Sequence, residues 1–312
     1  MITFGPVTSR RLGMSLGINN IIRPKVCSYN CIYCQVGQTR HLCLKRQEFY
    51  TPDQIFREVD RHLEKLTNGR PDYLTFVSNG EPTLDINIGR SIELIRSFGI
   101  PVAVITNSSL LHDPGVRSEL MIADWVSIKA DAADDETWRT INRPAKGLAF
   151  DQIIEGMSLF ASGYQGKLRT ETMLCSGIND NPDNLKGVAA LISSLKPGKA
   201  YISIPVRPPS EPAVTAPEPE KVNMAWQIYN EAGIGTELLT GFEGTETGFT
   251  GNIYEDILNI TAVHPLREDA LMGLLAKNNA DFSVVESLLS QKLIIRSVYQ
   301  GQRFYLRWFH PE

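Results

Sequence analysis

The feature that most constrains the fold of this chain is a regular alternation of apolar, β-branched runs with segments of 3.6-residue hydrophobic periodicity. The short apolar runs predict buried strands, and the periodic segments predict amphipathic helices. Parallel strands need crossover connections, which are usually helical, so about six alternations predict an α/β fold with a parallel sheet wrapped by helices. In an open or closed barrel of this kind, reactive groups lie on the loops after the strands.

The predicted elements cover most of the first 232 residues. The predicted strands are residues 15–22, 73–77, 102–105, 125–128, 168–173 and 201–206. The predicted helices are residues 52–66, 86–98, 115–121, 150–162, 182–195 and 218–232. Residues 207–220 contain five prolines and few large apolar residues, which predicts an extended loop over the same face of the sheet, placed to act as a lid.

The C-terminal part follows a different pattern. A glycine-rich stretch at residues 240–251 separates the two parts, which predicts a barrel domain at 1–250 and a small domain at 251–312. From Pro265 the order is helix, turn, helix and two short strands, at residues 266–277, 283–291, 293–298 and 303–309, and this order resembles a winged helix. A basic and aromatic strip there is suited to RNA or an acidic peptide, or else its aromatics pack onto the barrel. The strip is Lys292, Arg296, Tyr299, Arg303, Tyr305, Arg307 and Trp308.

Composition narrows the class of protein. No stretch approaches the roughly 18 apolar residues of a membrane span, and the first residues lack a secretory pattern, so we expect a soluble, cytoplasmic protein with no membrane partner. The net charge of −4 argues against a generally basic surface for phosphate binding. Three of the five cysteines fall within eight residues, which favours metal or cluster ligation over structural disulfides.

Those three cysteines, Cys27, Cys31 and Cys34, have the spacing Cys-x3-Cys-x2-Cys immediately after the first predicted strand. Three thiolates on one tight loop can bind three corners of a cubane, and the fourth iron stays open to a small molecule. Structural zinc usually takes four ligands with paired spacings. A zinc site completed by His41 or Cys43 is the alternative interpretation.

This spacing, with Tyr33 just before the last cysteine, resembles the radical S-adenosylmethionine superfamily. The resemblance implies a partial (β/α)6 barrel, a [4Fe–4S] cluster and S-adenosylmethionine, whose amino and carboxylate groups chelate the open iron. One electron from the cluster then breaks a carbon–sulfur bond and yields a 5′-deoxyadenosyl radical. The same resemblance implies an external one-electron donor such as flavodoxin or ferredoxin.

Further residues match the cofactor contacts of that family. The turn Gly80-Glu81-Pro82 follows the second predicted strand and resembles the family's glycine-glutamate motif, which implies that Glu81 holds the amino group of the cofactor. Glycine permits a close backbone approach there. The remaining candidates come from later strand ends and are Asn107 or Ser108 for the carboxylate, Asp131 for the ribose hydroxyls and Ile178 for the adenine face.

The N-terminal residues 5–19, together with residues 33–37, 207–209 and 264–268, resemble a branch related to the enzymes that build the wyosine base of tRNA. Those enzymes use a lysine imine and a second cluster on additional cysteines. This chain departs from the pattern, because only Cys43 and Cys175 remain outside the triad. Lys25 and Lys129 are the lysines best placed for an imine, although a charge contact is the simpler role. The candidate substrate contacts are Arg10, Arg11, Lys129 and Arg207, since Arg offers planar bidentate donors to a phosphate or carboxylate.

The leading hypothesis is an oxidoreductase-like or RNA-modifying radical enzyme that abstracts hydrogen from its substrate. An RNA base, such as a tRNA base, and a peptide or protein are the two main substrate classes, with a small metabolite third. The alternative of another class is an iron–sulfur regulator that binds nucleic acid. The Gly80-Glu81-Pro82 turn favours the enzyme, because a sensor has no need of an amino-acid cradle.

Overall fold

A computed structural model describes residues 2–22, 24–66, 69–241 and 247–308. The strands are Thr3–Ser9 (β1), Gly13–Ile18 (β2), Val26–Cys27 (β3), His41–Leu42 (β4), Tyr73–Phe76 (β5), Val102–Thr106 (β6), Trp125–Lys129 (β7), Lys167–Met173 (β8), Lys199–Ser203 (β9), Thr236–Leu239 (β10), Leu266–Arg267 (β11), Ile294–Tyr299 (β12) and Gln302–Arg307 (β13). The helices are Pro52–Lys65 (α1), Ile88–Ile95 (α2), Pro114–Leu120 (α3), Asp135–Asn142 (α4), Phe150–Gly163 (α5), Pro182–Leu195 (α6), Pro219–Glu231 (α7), Ile253–Ile260 (α8), Glu268–Lys277 (α9) and Ser283–Ser290 (α10). None of the helices in this described part combines the length and apolar character needed to cross a bilayer.

One eight-stranded sheet organises the larger part of the chain, in the order β1-β2-β5-β6-β7-β8-β9-β10. From β2 to β10 all neighbours are parallel, while β1 pairs antiparallel to β2 at the edge. Leu12, in the turn between β1 and β2, shares a buried cluster with Leu239 of β10, the opposite edge strand. The sheet is therefore curled into a partial barrel, and the predicted α/β class is confirmed.

Local sequence signals explain where several helices begin. The Thr51 hydroxyl accepts a hydrogen bond from the backbone N–H of Gln54, and the Gln54 side chain accepts one from the N–H of Thr51. This reciprocal capping box satisfies two N–H groups that have no partner inside helix α1. Asn181 caps helix α6 in the same position by accepting from the N–H of Asn184. Both starts agree with the sequence prediction.

The sequence analysis missed β1, β3, β4, β10 and α4, and three of these show the reason. Strand β1 was not predicted because Pro6 and a bulge interrupt its alternation. Strand β10 is short and its first three residues are not buried, so it lacks a continuous apolar run. Helix α4 is polar around most of its circumference, and only Trp138, Ile141 and Asn142 are buried. The last predicted strand ends early, at Ser203, because Pro205 has no N–H for the ladder.

The C-terminal part has its own small core, built from helices α8, α9 and α10 and a three-stranded sheet in the order β11-β13-β12. Its element order is helix, strand, helix, helix and hairpin. Tyr305 of the predicted basic and aromatic strip is buried in this core, and the Tyr299 hydroxyl donates to the carbonyl of Pro205 on the barrel side at 3.1 Å. Lys292, Arg296, Arg303 and Trp308 remain exposed, while Phe309 lies outside the described residues. The domain boundary at residue 250 stays a prediction.

Candidate active site

The cysteine loop begins at the end of a very short parallel ladder. Cys27 ends β3, and Cys31 and Cys34 lie on the loop that leads to β4. The N–H of Ile32 donates to the carbonyl of Ile141 at 3.0 Å, so the end of helix α4 fixes the middle of the loop. From the other side, the Ser210 hydroxyl donates to the carbonyl of Cys31 at 2.8 Å. The proline-rich segment at residues 207–220, which we call the strap, therefore lies against this loop.

Each sulfur of the triad has a nitrogen donor within reach. Hydrogen bonds from N–H groups stabilise anionic sulfur, and they tune the reduction potential of iron–sulfur clusters. The donor and sulfur atoms, with their separations, are Asn107 Nδ2 and Cys27 Sγ at 3.5 Å, Asn142 Nδ2 and Cys31 Sγ at 3.4 Å, and Lys25 Nζ and Cys34 Sγ at 3.1 Å. The loop is therefore equipped to hold three thiolates.

Burial, unlike these nitrogen donors, disfavours the thiolate form of the free cysteines. It raises the pKa of Cys27 to about 12 and the pKa of Cys31 to about 11, so metal binding must displace these protons. In the described ranges no three Cys, His, Asp or Glu side chains converge closely enough for one metal ion. A cubane does not require that convergence, because each thiolate binds a different iron. The donor set therefore fits a three-cysteine iron–sulfur cluster.

Gly80 is in direct backbone contact with the strand that carries Cys27. Its φ is +146°, and a Cβ atom built on it would lie 1.8 Å from the carbonyl oxygen of Val26. The N–H of Glu81 donates to the same carbonyl at 3.2 Å. No side chain fits at position 80, so glycine here sets the distance between the cysteine loop and the sheet.

Glu81, the residue predicted to hold the cofactor's amino group, is buried between the ends of β5 and β6. The side chain is 1% exposed, and its carboxylate accepts hydrogen bonds from four donors. These are the N–H and hydroxyl of Thr83, the hydroxyl of Thr106 and the N–H of Asn107. Three of these bonds end on Oε1 and one on Oε2, so Glu81 holds the ends of β5 and β6 together and keeps an acceptor site on Oε2. Its contact with the cofactor's amino group stays a prediction.

The two candidates that follow β6, Asn107 and Ser108, have different surroundings. Asn107 is half-buried, and its amide group reaches both Cys27 and the Ser28 hydroxyl, at 2.9 Å for the latter. Ser108 is fully buried, and its hydroxyl accepts from the N–H of Lys129 at 2.9 Å. Ser108 thus bridges two strand ends and Asn107 lies beside the cysteines, while the cofactor contact of either residue stays a prediction.

Asp131 and Tyr33, two further predicted cofactor residues, are bonded to each other. The Asp131 carboxylate accepts from the Tyr33 hydroxyl, from Asn142 Nδ2 at 2.9 Å and from the N–H of Met173 at 2.8 Å. One acceptor site of the carboxylate remains, so its contact with a ribose stays a prediction. Ile178 is half-buried in a small apolar cluster that also includes Tyr33.

A cavity of about 290 Å³ opens between the cysteine loop and the inner face of the sheet. Tyr33 and Cys34 form part of its wall, whereas Cys27 and Cys31 do not line it. The four predicted substrate contacts all line this cavity and are Arg10, Arg11, Lys129 and Arg207. Residues far apart in the sequence are thus brought to one site because the β1–β2 turn folds against the inside of the curled sheet.

Sequence reasoning missed the carboxylate at the centre of this cavity, Glu171. It lies 2.6 Å from Arg11 Nη1 and 3.0 Å from Lys129 Nζ, and the Ser203 hydroxyl donates to it. Burial alone would raise its pKa, but the charges of Arg11 and Lys129 outweigh burial and lower the pKa to about 2. The signal that could have identified it was a carboxylate near the C-terminal end of a strand in this parallel sheet, where reactive groups collect.

His264 is the second residue that sequence reasoning left without a role. Its Nε2 lies 3.1 Å from Arg207 Nη2, and another nitrogen of Arg207 donates to the Gln35 side chain at 3.3 Å. Gln35 in turn donates to the carbonyl of Val263 at 3.1 Å. Because Val263 and His264 both line the cavity, the segment that follows helix α8 forms part of its wall.

The structure also shows the contacts of the remaining candidates, which are Lys25, Cys175 and Cys43. Lys25 Nζ donates to the carbonyl of Gly37 at 2.6 Å in addition to its contact with Cys34, so it serves as a charge contact. Cys175 has no exposed surface in its apolar cluster, and burial raises its pKa. Cys43 is half-buried, and its thiol donates to the carbonyl of Lys45 at 3.3 Å.

A curled parallel sheet with a Cys-x3-Cys-x2-Cys loop beside its cavity defines the class of protein. The chain belongs to the radical SAM superfamily, whose family model matches residues 21–192. Members of this superfamily typically bind S-adenosylmethionine and a [4Fe–4S] cluster, and they are generally enzymes. The membership inferred from the cysteine spacing is confirmed.

Individual relatives place the chain within that superfamily. It is 46% identical to the UPF0026 protein MJ1312 of Methanocaldococcus jannaschii, over 98% of this chain and 96% of that protein. It is 25% identical to the dual-specificity RNA methyltransferase RlmN of Lawsonia intracellularis, over 68% of this chain and 60% of that protein. Among solved structures, TYW1 with a lysine-pyruvate adduct bound has a TM-score of 0.51, covering 70% of this chain and 73% of that chain at 16% identity, a likeness of fold.

The contact of Gly80 with Val26 predicts that Gly80→Ala disrupts the cysteine loop. The added methyl group must displace β3, so we expect a loss of about 3 kcal/mol or more in the free energy of unfolding. Iron and sulfide bound after anaerobic reconstitution should fall in parallel. Gly37→Ala is the matched control, because Gly37 also has a positive φ, +95°, but nothing within 4 Å of its Cβ position. Equal effects of the two substitutions would contradict the close-contact explanation.

The buried charges of the cavity predict the behaviour of Glu171→Gln. This substitution leaves Arg11 and Lys129 without their carboxylate and should cost about 3–5 kcal/mol in metal-free protein at pH 7. The folded pKa of about 2 lies below the ordinary value of 4.5, so the stabilisation is complete above about pH 4.5 and declines as the pH falls towards 2. Urea unfolding at pH 7 and pH 4 should therefore show a smaller difference between wild type and variant at pH 4.

Glu237→Gln is the control for that measurement. Glu237 pairs with Lys199 at 2.7 Å, but both side chains are about 40% exposed. Its loss should cost less than about 1 kcal/mol, because exposed ion pairs are weak. A cost for Glu171→Gln no larger than that of the control would argue against a buried charge network.

Proposed function

We propose that this protein is a radical S-adenosylmethionine enzyme that binds a [4Fe–4S] cluster through Cys27, Cys31 and Cys34 and abstracts hydrogen from an anionic substrate, an RNA base in its nucleotide context. The observation that carries the proposal is the placement of a nitrogen donor on each triad sulfur, beside a cavity that starts at Cys34. When bound, the cluster supplies the electron that splits S-adenosylmethionine to the 5′-deoxyadenosyl radical.

The residues of the chain prepare the site for that chemistry in distinct ways. Asn107, Asn142 and Lys25 hold negative charge on the three sulfurs. Tyr33 and Asp131 form a rigid polar wall next to the cysteine loop. The strap at Ser210 covers the loop from the solvent side, which limits the access of water and oxygen.

The charge of the cavity supports an anionic substrate. Among the described residues its wall carries the cations Arg10, Arg11, Lys129 and Arg207 and the carboxylate Glu171, and these groups together have a net charge of four minus one, or +3. The whole chain has a net charge of −4, so this concentration of cations is local. Arginine side chains bind phosphate in bidentate fashion. A nucleotide therefore suits the cavity better than a neutral peptide.

Two of the relatives support RNA as the substrate class. One carries the name RNA methyltransferase, and the structural neighbour TYW1 corresponds to the wyosine branch inferred from the sequence. Wyosine chemistry itself is not proposed, because two cysteines outside the triad cannot supply three further cluster ligands. Lys129 is also held by Glu171, and its pKa is raised despite burial, which favours an ammonium over an imine-forming amine.

The C-terminal part belongs to the proposed active site as well. Its element order suits a winged-helix-like module, and its segment between α8 and β11 contributes His264 to the cavity. The exposed cations Lys292 and Arg296 are available to backbone phosphates of an RNA whose target base enters the cavity. We place the enzyme in the cytoplasm, where such RNA is found.

The proposed chemistry predicts the outcome of anaerobic reconstitution with iron and sulfide, followed by dithionite and S-adenosylmethionine. Wild-type protein should release 5′-deoxyadenosine, quantified by liquid chromatography and mass spectrometry. Cys31→Ala should reduce the yield to background because one iron loses its ligand. Cys43→Ala is the matched control and should retain activity, since Cys43 lies outside the triad. A wild-type protein that binds about one zinc and forms no product would refute the enzyme proposal.

The proposed substrate class predicts that RNA from cell extract stimulates the release of 5′-deoxyadenosine and that nuclease treatment removes the stimulation. Arg207→Ala should raise the RNA concentration for half-maximal stimulation about tenfold, as expected for the loss of one charged hydrogen bond. Lys199→Ala removes an exposed cation outside the cavity and should leave that concentration unchanged. Stimulation that survives nuclease but is lost on protease treatment would replace RNA by a peptide or protein.

A further inference from the structure

A second basic surface lies on the outer side of the cysteine loop. It consists of Arg40, His41, Leu42, Lys45 and Lys146, which we call the outer patch, and every one of these side chains is exposed. Leu42 is 45% exposed, which is unusual for a large apolar side chain, and cations surround it in the sequence. The outer patch thus combines an apolar contact point with positive charge.

Backbone hydrogen bonds join the outer patch to the triad. His41 pairs with Val26 and Leu42 pairs with Cys27 in the parallel ladder of β3 and β4. The N–H of Cys43 donates to the carbonyl of Cys27 at 3.0 Å. The exposed Leu42 is therefore one strand away from a cluster ligand.

The loop that carries Lys146 lies on the same side. The N–H of Ala145 donates to the carbonyl of Ser28 at 2.8 Å. A Cβ atom on Gly147 would lie 3.6 Å from the Leu44 side chain. Two loops distant in the sequence, one at β4 and one after α4, thus meet around the start of the cysteine loop.

The charges of the outer patch are available for a partner. Among the described residues Arg40, Lys45 and Lys146 form no ion pair, so the patch carries a charge of +3 on a chain whose net charge is −4. None of the patch residues lines the cavity. A substrate bound here would be held away from the cavity, whereas an electron has only to reach the adjacent thiolates.

We infer that the outer patch is the docking surface for an acidic one-electron carrier protein of the flavodoxin or ferredoxin class, an inference that rests on the proposed function. An anionic flavodoxin hydroquinone would give up one electron and become the neutral semiquinone, and the electron would reduce by one electron the cluster that Cys27, Cys31 and Cys34 hold. Opposite charges steer such encounters, and redox interfaces are small and transient, so a few cations around one apolar residue suffice.

The test compares two reductants in the reconstituted protein. The double variant Arg40→Glu with Lys45→Glu should lower kcat/KM for flavodoxin-driven release of 5′-deoxyadenosine at least about tenfold, because steering by charge is lost. Dithionite is small and needs no docking surface, so its reaction should be unchanged. The double variant Lys186→Glu with Lys196→Glu, at exposed positions of helix α6 and its C-terminus, makes the same charge change elsewhere and should match wild type in both reactions.

A binding measurement gives a readout that does not depend on the cluster. Metal-free wild-type protein should bind oxidised flavodoxin with an affinity that falls as salt is added, and the Arg40→Glu, Lys45→Glu variant should bind about tenfold more weakly with little salt dependence. Lys146→Glu, on the neighbouring loop, should weaken binding in the same direction. Because Lys146 lies outside the β3–β4 ladder, its effect does not depend on how that ladder folds.

The possible results of these experiments distinguish the docking inference from the proposed enzyme function. If flavodoxin binding and flavodoxin-driven turnover survive all patch variants, the docking inference is overturned while the enzyme proposal stands. It is equally overturned if the variants weaken binding of transfer RNA and leave flavodoxin binding intact, because the patch then serves nucleic acid. If wild-type protein releases no 5′-deoxyadenosine with either reductant, the proposed function itself fails.

Discussion

The close approach of Gly80 to the carbonyl oxygen of Val26 is the contact on which the candidate site depends. It brings the strand that carries Cys27 against the end of β5, within a distance that no side chain at position 80 allows. Glu81, the next residue, ties the ends of β5 and β6 together and so positions Asn107 beside the Cys27 sulfur. The glycine-glutamate turn thus acts mainly by organising the strand ends around the cysteine loop.

The site has two parts, the cysteine loop and the cavity, which differ in the charge that they can accommodate. The cysteine loop must hold negative sulfur in a buried place, and each sulfur accordingly has a nitrogen donor. The cavity beside it carries three more positive than negative charges, although Glu171 neutralises part of this by pairing with Arg11 and Lys129. Lys129 connects the two parts, because its ammonium lies 5.2 Å from the centre of the Tyr33 ring. The positive cavity next to an anionic loop suits a substrate that carries phosphate.

Much of this could be predicted from short-range patterns. The positions of β5, β6, β7 and β8 were predicted to within about two residues, because these strands are largely buried and rich in apolar and β-branched residues. Edge strand β10 and the polar helix α4 could not be predicted in this way, since little of their surface is buried. The sequence could not decide between Asn107 and Ser108 for a related reason. A polar residue after a strand looks the same in the sequence whether its hydroxyl faces a ligand or caps the backbone of the next strand.

The sequence by itself determined membership of the radical SAM superfamily, because the spacing of three thiols on one loop is a local pattern. It also determined the α/β class, since the alternation of periodicities is local. Only the tertiary structure decided that Arg11 meets Glu171, that His264 reaches Arg207 and that Glu81 points inward. These contacts join residues up to 160 positions apart, and they arise from the curl of the sheet and the register of its strands. Neither the curl nor the register can be predicted from any short segment of the chain.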